Sequence, residues 1–286
     1  MKEFVNIRTV NKWLVLLLMT LFCTSCSNRE GYVQYEYYPN GEIKAQTEIL
    51  NGEWHGKRVR FYPSGKVETI SYFKDGLNEG EMIDYYEHGQ VAGRIMYKNN
   101  LLQGPAKYYY PNGKLEVEAQ YKNDIAVGWV KFYREDGSLT AMDHHVVNLY
   151  EPNGRKELSQ VIKFDELGRI MKDSSYYVSV SSNCNEVRLN DTCFLTVTLE
   201  KPKLKQSMQL LIGGYDEFFK LVDPSQQDTI KGKNFKATYR FVAKEKGLNV
   251  IRGRVDDFEQ EYFKNTDTVA VRRERRLCFS KTIIVR

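Results

Sequence analysis

The sequence predicts an all-β chain: an elongated sheet of repeated β-hairpins followed by a β-sandwich. Three observations predict it. Turn glycines recur at one constant step, at Gly41, Gly65, Gly89, Gly113 and Gly137. Between them apolar and polar residues alternate with period two, the pattern of a half-buried strand. From Ser174 onward the step is lost, and six strand-like runs alternate with turn-rich stretches, the spacing of a sandwich. Composition agrees, since 20 tyrosines and only 7 prolines suit strands better than disorder. A length of 286 residues leaves room for one or two domains. The net charge of +5 is too small to demand nucleic acid as a partner.

Residues 1–25 read as a leader. Lys2, Arg8 and Lys12 precede the apolar run "WLVLLLMTLF" at 13–22. That run is shorter than the roughly 20 residues a spanning helix needs and matches the core of a secretory signal. Thr24 and Ser25 stand directly before Cys26 in "CTSCSN". This resembles the lipobox of bacterial lipoproteins, which implies cleavage before Cys26 and lipid on its new terminus. The other readings are an ordinary signal peptide, or an uncleaved anchor with two incidental cysteines. Residues 26–34 read as a linker. Export implies an oxidising compartment, so a disulfide is allowed among Cys184, Cys193 and Cys278. Cys184 and Cys193 could close a small loop, or Cys278 could partner one of them.

Residues 35–173 hold the repeat. Each unit has a short aromatic strand ("RFY", "YYY"), a turn ("PNGK", "PSGK", "EHGQ") and an alternating second strand. Leu115, Val117, Ala119 and Tyr121 share one face, as do Val91, Gly93, Ile95 and Tyr97, and Val67, Thr69, Ser71 and Phe73. A second glycine series, Gly56, Gly80, Gly104 and Gly128, keeps the same step. One hairpin alone is marginal in water, but stacked hairpins bury one another's apolar rows. The aromatic column Tyr37, Phe61, Tyr85, Tyr109 and Tyr133 is expected to form core. The next ring along, Tyr38, Tyr62, Tyr86 and Tyr110, is expected to form an exposed binding stripe. Two out-of-step turns, "LYEPNGRK" at 149–156 and "KFDELGRI" at 163–170, read as terminal capping units.

"FYPSGK" at 61–66, "YYPNGK" at 109–114, "YFKDG" at 72–76 and the second glycine of each unit resemble the variant MORN repeat of bacterial proteins. The resemblance covers about half the chain. It implies a β-hairpin solenoid used for binding or scaffolding, with no catalytic constellation to carry over. Some relatives bear an antitoxin label, which adds an immunity protein as an alternative.

Residues 174–286 read as an immunoglobulin-like sandwich. "FKATYRFVAKEKGLNVIRGRV" at 235–255 resembles the paired late strands of bacterial immunoglobulin-like domains. The basic run "RRERR" at 272–276 reads as a charged edge strand that discourages aggregation, with an anionic lipid or glycan contact as the sharper alternative.

Chemical motifs are sparse. Asp143-His144-His145 has metal-ligand residue types but reads as a polar loop, and Asp75, Asn78, Glu79 and Glu81 read as an exposed turn without EF-hand spacing. Glu116 and Glu118 lie on one strand face at a spacing that could serve glycoside hydrolysis, yet nothing else marks a pocket there. The expectation is therefore a non-enzymatic lipoprotein of the bacterial cell envelope, anchored in the outer membrane by lipid. It would need no metal and no cofactor. Its repeat sheet would meet an envelope protein or a glycan, and not nucleic acid. An antitoxin or a glycan-processing enzyme are the alternatives.

Overall fold

The computed structural model describes residues 31–148, 155–200, 207–217, 219–262 and 269–286. The leader and Cys26 lie outside the described residues, as do residues 149–154 of the first expected capping turn. The architecture is all-β, with one single-turn 3-10 segment at Pro224–Gln226.

The repeat region forms one antiparallel sheet of 13 strands. In chain order these are β1 (Gly31–Tyr37), β2 (Ile43–Leu50), β3 (Glu53–Phe61), β4 (Val67–Lys74), β5 (Leu77–Asn78), β6 (Gly80–Tyr85) and β7 (Val91–Lys98). There follow β8 (Leu101–Tyr109), β9 (Leu115–Lys122), β10 (Ile125–Ala126), β11 (Gly128–Tyr133), β12 (Leu139–Asn148) and β13 (Arg155–Lys163). The strands pair in chain order, except that β4 pairs with β6 and β9 with β11, while the two-residue strands β5 and β10 pair only with β4 and β9.

The turns follow from backbone sterics. In each unit the residue after the first strand bonds across the turn, as Tyr86 N–H does to Gln90 O at 2.8 Å and Gly89 N–H to Tyr86 O at 2.7 Å. Gly89 closes the turn at φ 97°, where a β-carbon is disfavoured. A β-bulge recurs at the end of the first strand, between Arg60 and Phe61, Asp84 and Tyr85, Tyr108 and Tyr109, and Phe132 and Tyr133. Bulges strengthen the local twist and re-aim the following side chain.

The alternation in the second strands sets the buried face. Ala45, Thr47 and Ile49 are buried on β2, Thr69, Ser71 and Phe73 on β4, Ile95 on β7 and Ala119 on β9. The second glycine series pairs with these second strands. Gly56, Gly80 and Gly104 sit directly across from Phe73, Tyr97 and Tyr121. The expected core column is corrected. Tyr37 is 60% exposed, Phe61, Tyr85, Tyr109 and Tyr133 are only half-buried, and all five stand at a β-bulge.

The second region has eight strands: β14 (Tyr177–Ser182), β15 (Glu186–Val187), β16 (Thr192–Glu200), β17 (Ser207–Ile212), β18 (Asp228–Lys231), β19 (Lys236–Val242), β20 (Gly247–Tyr262) and β21 (Val269–Val285). They form a three-stranded sheet, β14-β16-β19, and a five-stranded sheet, β15-β21-β20-β17-β18. Leu195 and Val197 from the first sheet meet Leu210, Val255, Leu277 and Ile283 from the second in one dry core, all at 0% exposure. The structure places a disulfide between Cys184 and Cys193, with Cα atoms 6.0 Å apart.

One expectation is corrected here. The runs 235–243 and 248–255 do not pair with each other, since β19 lies in one sheet and β20 in the other. The "RRERR" run has a strand partner on one side only, since β15 meets β21 just at Ile284 and Val285. It lies on β21 opposite acidic β20, with Asp257 across from Arg275 and Asp256 across from Arg276. Asp257 is fully buried, and its Oδ2 accepts from Arg275 Nη2 at 2.9 Å.

A buried polar seam joins the two regions. Val161 of β13 exchanges backbone bonds with Tyr176 at 2.8 and 2.9 Å. Ser159 Oγ accepts from Cys278 N–H at 2.7 Å, and Gln160 Oε1 accepts from Val178 N–H at 2.8 Å while its amide donates to Cys278 O. Ser159 and Gln160 are each 1% exposed. Burying such groups is tolerable because each finds a partner.

Candidate binding faces of the repeat sheet

The turn edge of the sheet carries a ladder of side-chain bonds. Tyr38 Oη donates to Phe61 O at 2.7 Å, Tyr62 to Tyr85 O at 2.6 Å, Tyr86 to Tyr109 O at 2.6 Å and Tyr110 to Tyr133 O at 2.8 Å. Each turn tyrosine therefore ties its unit to the backbone of the next. Burial and then the carboxylates of Glu68 and Glu87 raise the Tyr62 phenol above its usual range, so it stays a donor. Tyr110 is raised by burial and by Glu116 and Glu135. The sequence places these four rings on an exposed stripe. The structure half-buries them and engages every hydroxyl.

The ladder has a fifth rung that the sequence reading missed. Arg134 stands one full step after Tyr110 and occupies the same turn position. Its Nη2 donates to Phe164 O at 2.8 Å and its Nη1 holds Leu139 O at 3.1 Å. The constant step could have found it, because the position is in phase and only the residue type changes. "KFDELGRI" folds into the same turn, with Asp165 N–H to Arg169 O at 3.0 Å and Gly168 N–H to Asp165 O at 3.1 Å. The opposite edge has its own ladder. Asn100 Oδ1 accepts from Asn78 N–H and Asp124 Oδ1 from Leu102 N–H, both at 2.7 Å.

The sharpest chemical feature lies on the buried face. Asp84, Gly93 and Tyr108 stand side by side across β6, β7 and β8. A β-carbon at Gly93 would come within 3.5 Å of the Tyr108 ring and 3.7 Å of Asp84 Oδ2, so the missing side chain leaves a cradle between them. Thr69 Oγ1 donates to Asp84 Oδ1 at 2.8 Å and orients the carboxylate. Tyr97 and Tyr121 share this face. Burial first, and then Asp84 and Asp124, raise the Tyr97 phenol. Burial first, and then Tyr121, Tyr97 and Asp84, raise that of Tyr108. Tyr97 and Tyr121 occupy equivalent places two strands apart, about 10 Å at the usual strand spacing. Phenol donors, aromatic faces and one carboxylate acceptor on a rigid sheet suit a ligand dense in hydroxyl groups.

The other motifs take structural places. Asp143, His144 and His145 lie on strand β12, not in a loop. His144 is 4% exposed, wedged between Trp129 and Phe219 at ring distances of 5.0 and 5.7 Å. Burial, and then His145, lowers its pKa to about 4, so it is neutral at physiological pH. Glu118 bridges Lys131 at 3.1 Å and Lys107 at 3.7 Å. The Lys131 hydrogen bond holds its carboxyl below the usual range, which makes it an ion-pair partner and a poor proton donor. Asp75, Asn78, Glu79 and Glu81 disperse: Asp75 meets His55, Glu79 accepts from Asn99 N–H and Glu81 from Arg94. Among the described residues no group of three or more His, Cys, Asp or Glu could hold a metal ion. Cys278 is buried, and desolvation pushes its thiol up to about 12.

The MORN repeat variant matches four stretches of this chain, residues 33–51, 54–75, 78–99 and 102–123. The repeat sheet thus holds four MORN repeat variants, within β1–β9. The last three matched units start at equal intervals and run through β3–β4, β5–β7 and β8–β9. Repeats of this kind point to a binding or scaffolding role. No curated protein sequence matches the chain. A solved polysaccharide lyase aligns with 90% of this chain and 46% of its own length, at 9% identity and a TM-score of 0.27. The chain thus spans less than half of that lyase, and a likeness so slight carries no argument.

Proposed function

We propose that the chain is a non-enzymatic envelope lipoprotein, held to the outer membrane by lipid on Cys26, whose MORN-variant sheet binds an envelope glycan. The observation that carries the binding reading is the cradle at Gly93, with Tyr108 and Asp84 on its walls and Tyr97 and Tyr121 beside it. It combines stacking surfaces with polar groups and stands on strands instead of loops, which keeps its geometry fixed. A non-enzymatic role is supported by Glu118, the better placed of the two carboxylates, being locked in ion pairs.

The sandwich serves as spacer or docking body, and its strand order supports an immunoglobulin-like reading. Its first strand divides between the sheets: β14 joins β16, and β15 runs parallel to β21. The disulfide ties the start of β16 to the preceding loop and does not bridge the two sheets.

Three measurements test this. Titrating the full chain with solubilised envelope glycans should show saturable binding that Gly93→Val and Tyr108→Ala weaken at least tenfold, while Tyr62→Phe leaves it intact. Crosslinking in cells that captures a protein toxin through the same face, with no glycan binding, would replace this reading with the immunity one. Cys26→Ala should release the chain from the membrane fraction, and retention there would remove the lipid anchor.

A further inference from the structure

Edge strands are a hazard that proteins blunt with lysine, proline, bulges, short length or a cover. Among the described residues, the sheet edges other than β1 follow this rule, including the side of β21 away from β20, which carries the basic run at 272–276 and bonds Ser159 and Gln160 through Arg276 and Cys278. β13 is covered through its Val161–Tyr176 bonds, and β14 lies against Gln160 of that strand. β15 has two residues and β18 has four, ending in Lys231, while β19 carries Lys236 and Arg240. The remaining edge, β1, reads "GYVQYEY". It is seven residues long, has no lysine or proline, and is regular until the bulge at Glu36/Tyr37. Tyr32, Val33, Tyr35 and Tyr37 are 56%, 46%, 47% and 60% exposed.

We infer that β1 pairs with β1 of a second copy of this chain, antiparallel about a two-fold axis at Gln34, so that two repeat sheets become one. The strand is self-complementary in this register. Val33 faces the partner's Tyr35 on the outer side, and Tyr32 faces the partner's Glu36 on the other, within reach of a phenol-to-carboxylate bond. The two Glu36 residues stand well apart along the pairing, about 14 Å, beyond the Debye length of about 8 Å at physiological salt. Each is already matched by Arg58 Nη2 at 3.0 Å. The sequence before this strand does not carry the repeat pattern. Leu14 and Leu17 stand where the step would place the turn tyrosine and the turn glycine.

Site-directed disulfides in cells expressing the full chain test the register. Across the axis the two residues at position 34 have Cα atoms about 5 Å apart, within disulfide reach, whereas those at position 33 are about 8 Å apart, outside it. Mild oxidation of Gln34→Cys should give a covalent dimer at least tenfold above both Val33→Cys and the unsubstituted chain. Adding Tyr35→Lys should abolish that dimer while hydrogen exchange in β2–β4 stays unchanged. No dimer, equal crosslinking at 33 and 34, or a crosslink only to a different protein would each overturn the pairing.

Discussion

In the repeat sheet the most buried residues are small or polar, Ala45, Ala106, Ser159, Gln160 and Thr47, whereas the sandwich buries Leu195, Leu210, Leu277 and Ile283 almost completely. The sheet's pairings are between strands adjacent in sequence, and each tyrosine rung of its side-chain ladder reaches only to the next unit. The sandwich brings β16 to β19 and β17 to β20 across long intervals. The first region is therefore a chain of near-equal neighbour interactions, and the second a single cooperative core. The difference teaches where each can be damaged. A lesion in the sheet should stay near its unit, and one in the sandwich should spread through it.

The largest break is expected from Leu210→Ala, which leaves a cavity in a core with no exposed wall. It should cost the sandwich about 3–4 kcal/mol in urea unfolding. Exchange protection in the units around Gly65 and Gly89 should hardly change, and loss of protection there would show that the two regions unfold as one. Removing the disulfide by Cys184→Ser should cost somewhat less, about 3 kcal/mol for so short a loop, again confined to the sandwich.

Acid should act at the seam. His144 titrates lower in the fold than in the unfolded chain, so below pH 6.5 the unfolded state binds more protons. The stability His144 permits is full above pH 6.5, falls as pH drops toward about 4 and then levels off, a loss of roughly 3 kcal/mol. A urea midpoint that does not move between pH 7 and pH 4.5 would remove the histidine from this role. The smallest effect is expected from Tyr86→Phe, which keeps the ring and deletes one rung. It should cost about 1 kcal/mol, with faster exchange confined to the turns near Gly89 and Gly113. An equal effect in distant units would break the neighbour picture.

How far these features were legible follows the range of the forces that make them. Gly89 and its counterparts show the turns because the left-handed backbone is a local demand. The alternation Val67, Thr69, Ser71, Phe73 shows the buried face for the same reason. Arg134 escaped because a guanidinium can replace a phenol as donor while sharing none of its composition signal. The cradle at Gly93 was hidden because a glycine on an alternating strand reads as weakness until Asp84 and Tyr108 are placed beside it. The acidic complement of the basic run at 272–276, Asp256 and Asp257, was hidden because it lies on the preceding strand, whose register no local pattern reveals.

The sequence by itself determined the repeating hairpin unit, its turn and the two faces of its second strand, because φ preferences and pleat periodicity act over a few residues. Only the tertiary structure decided that the turn tyrosines would be rungs and not a free stripe, that His144 would be buried at a seam, and that Arg275 would find Asp257. Those outcomes depend on which surfaces meet, and burial and charge pairing are set by partners distant in the chain.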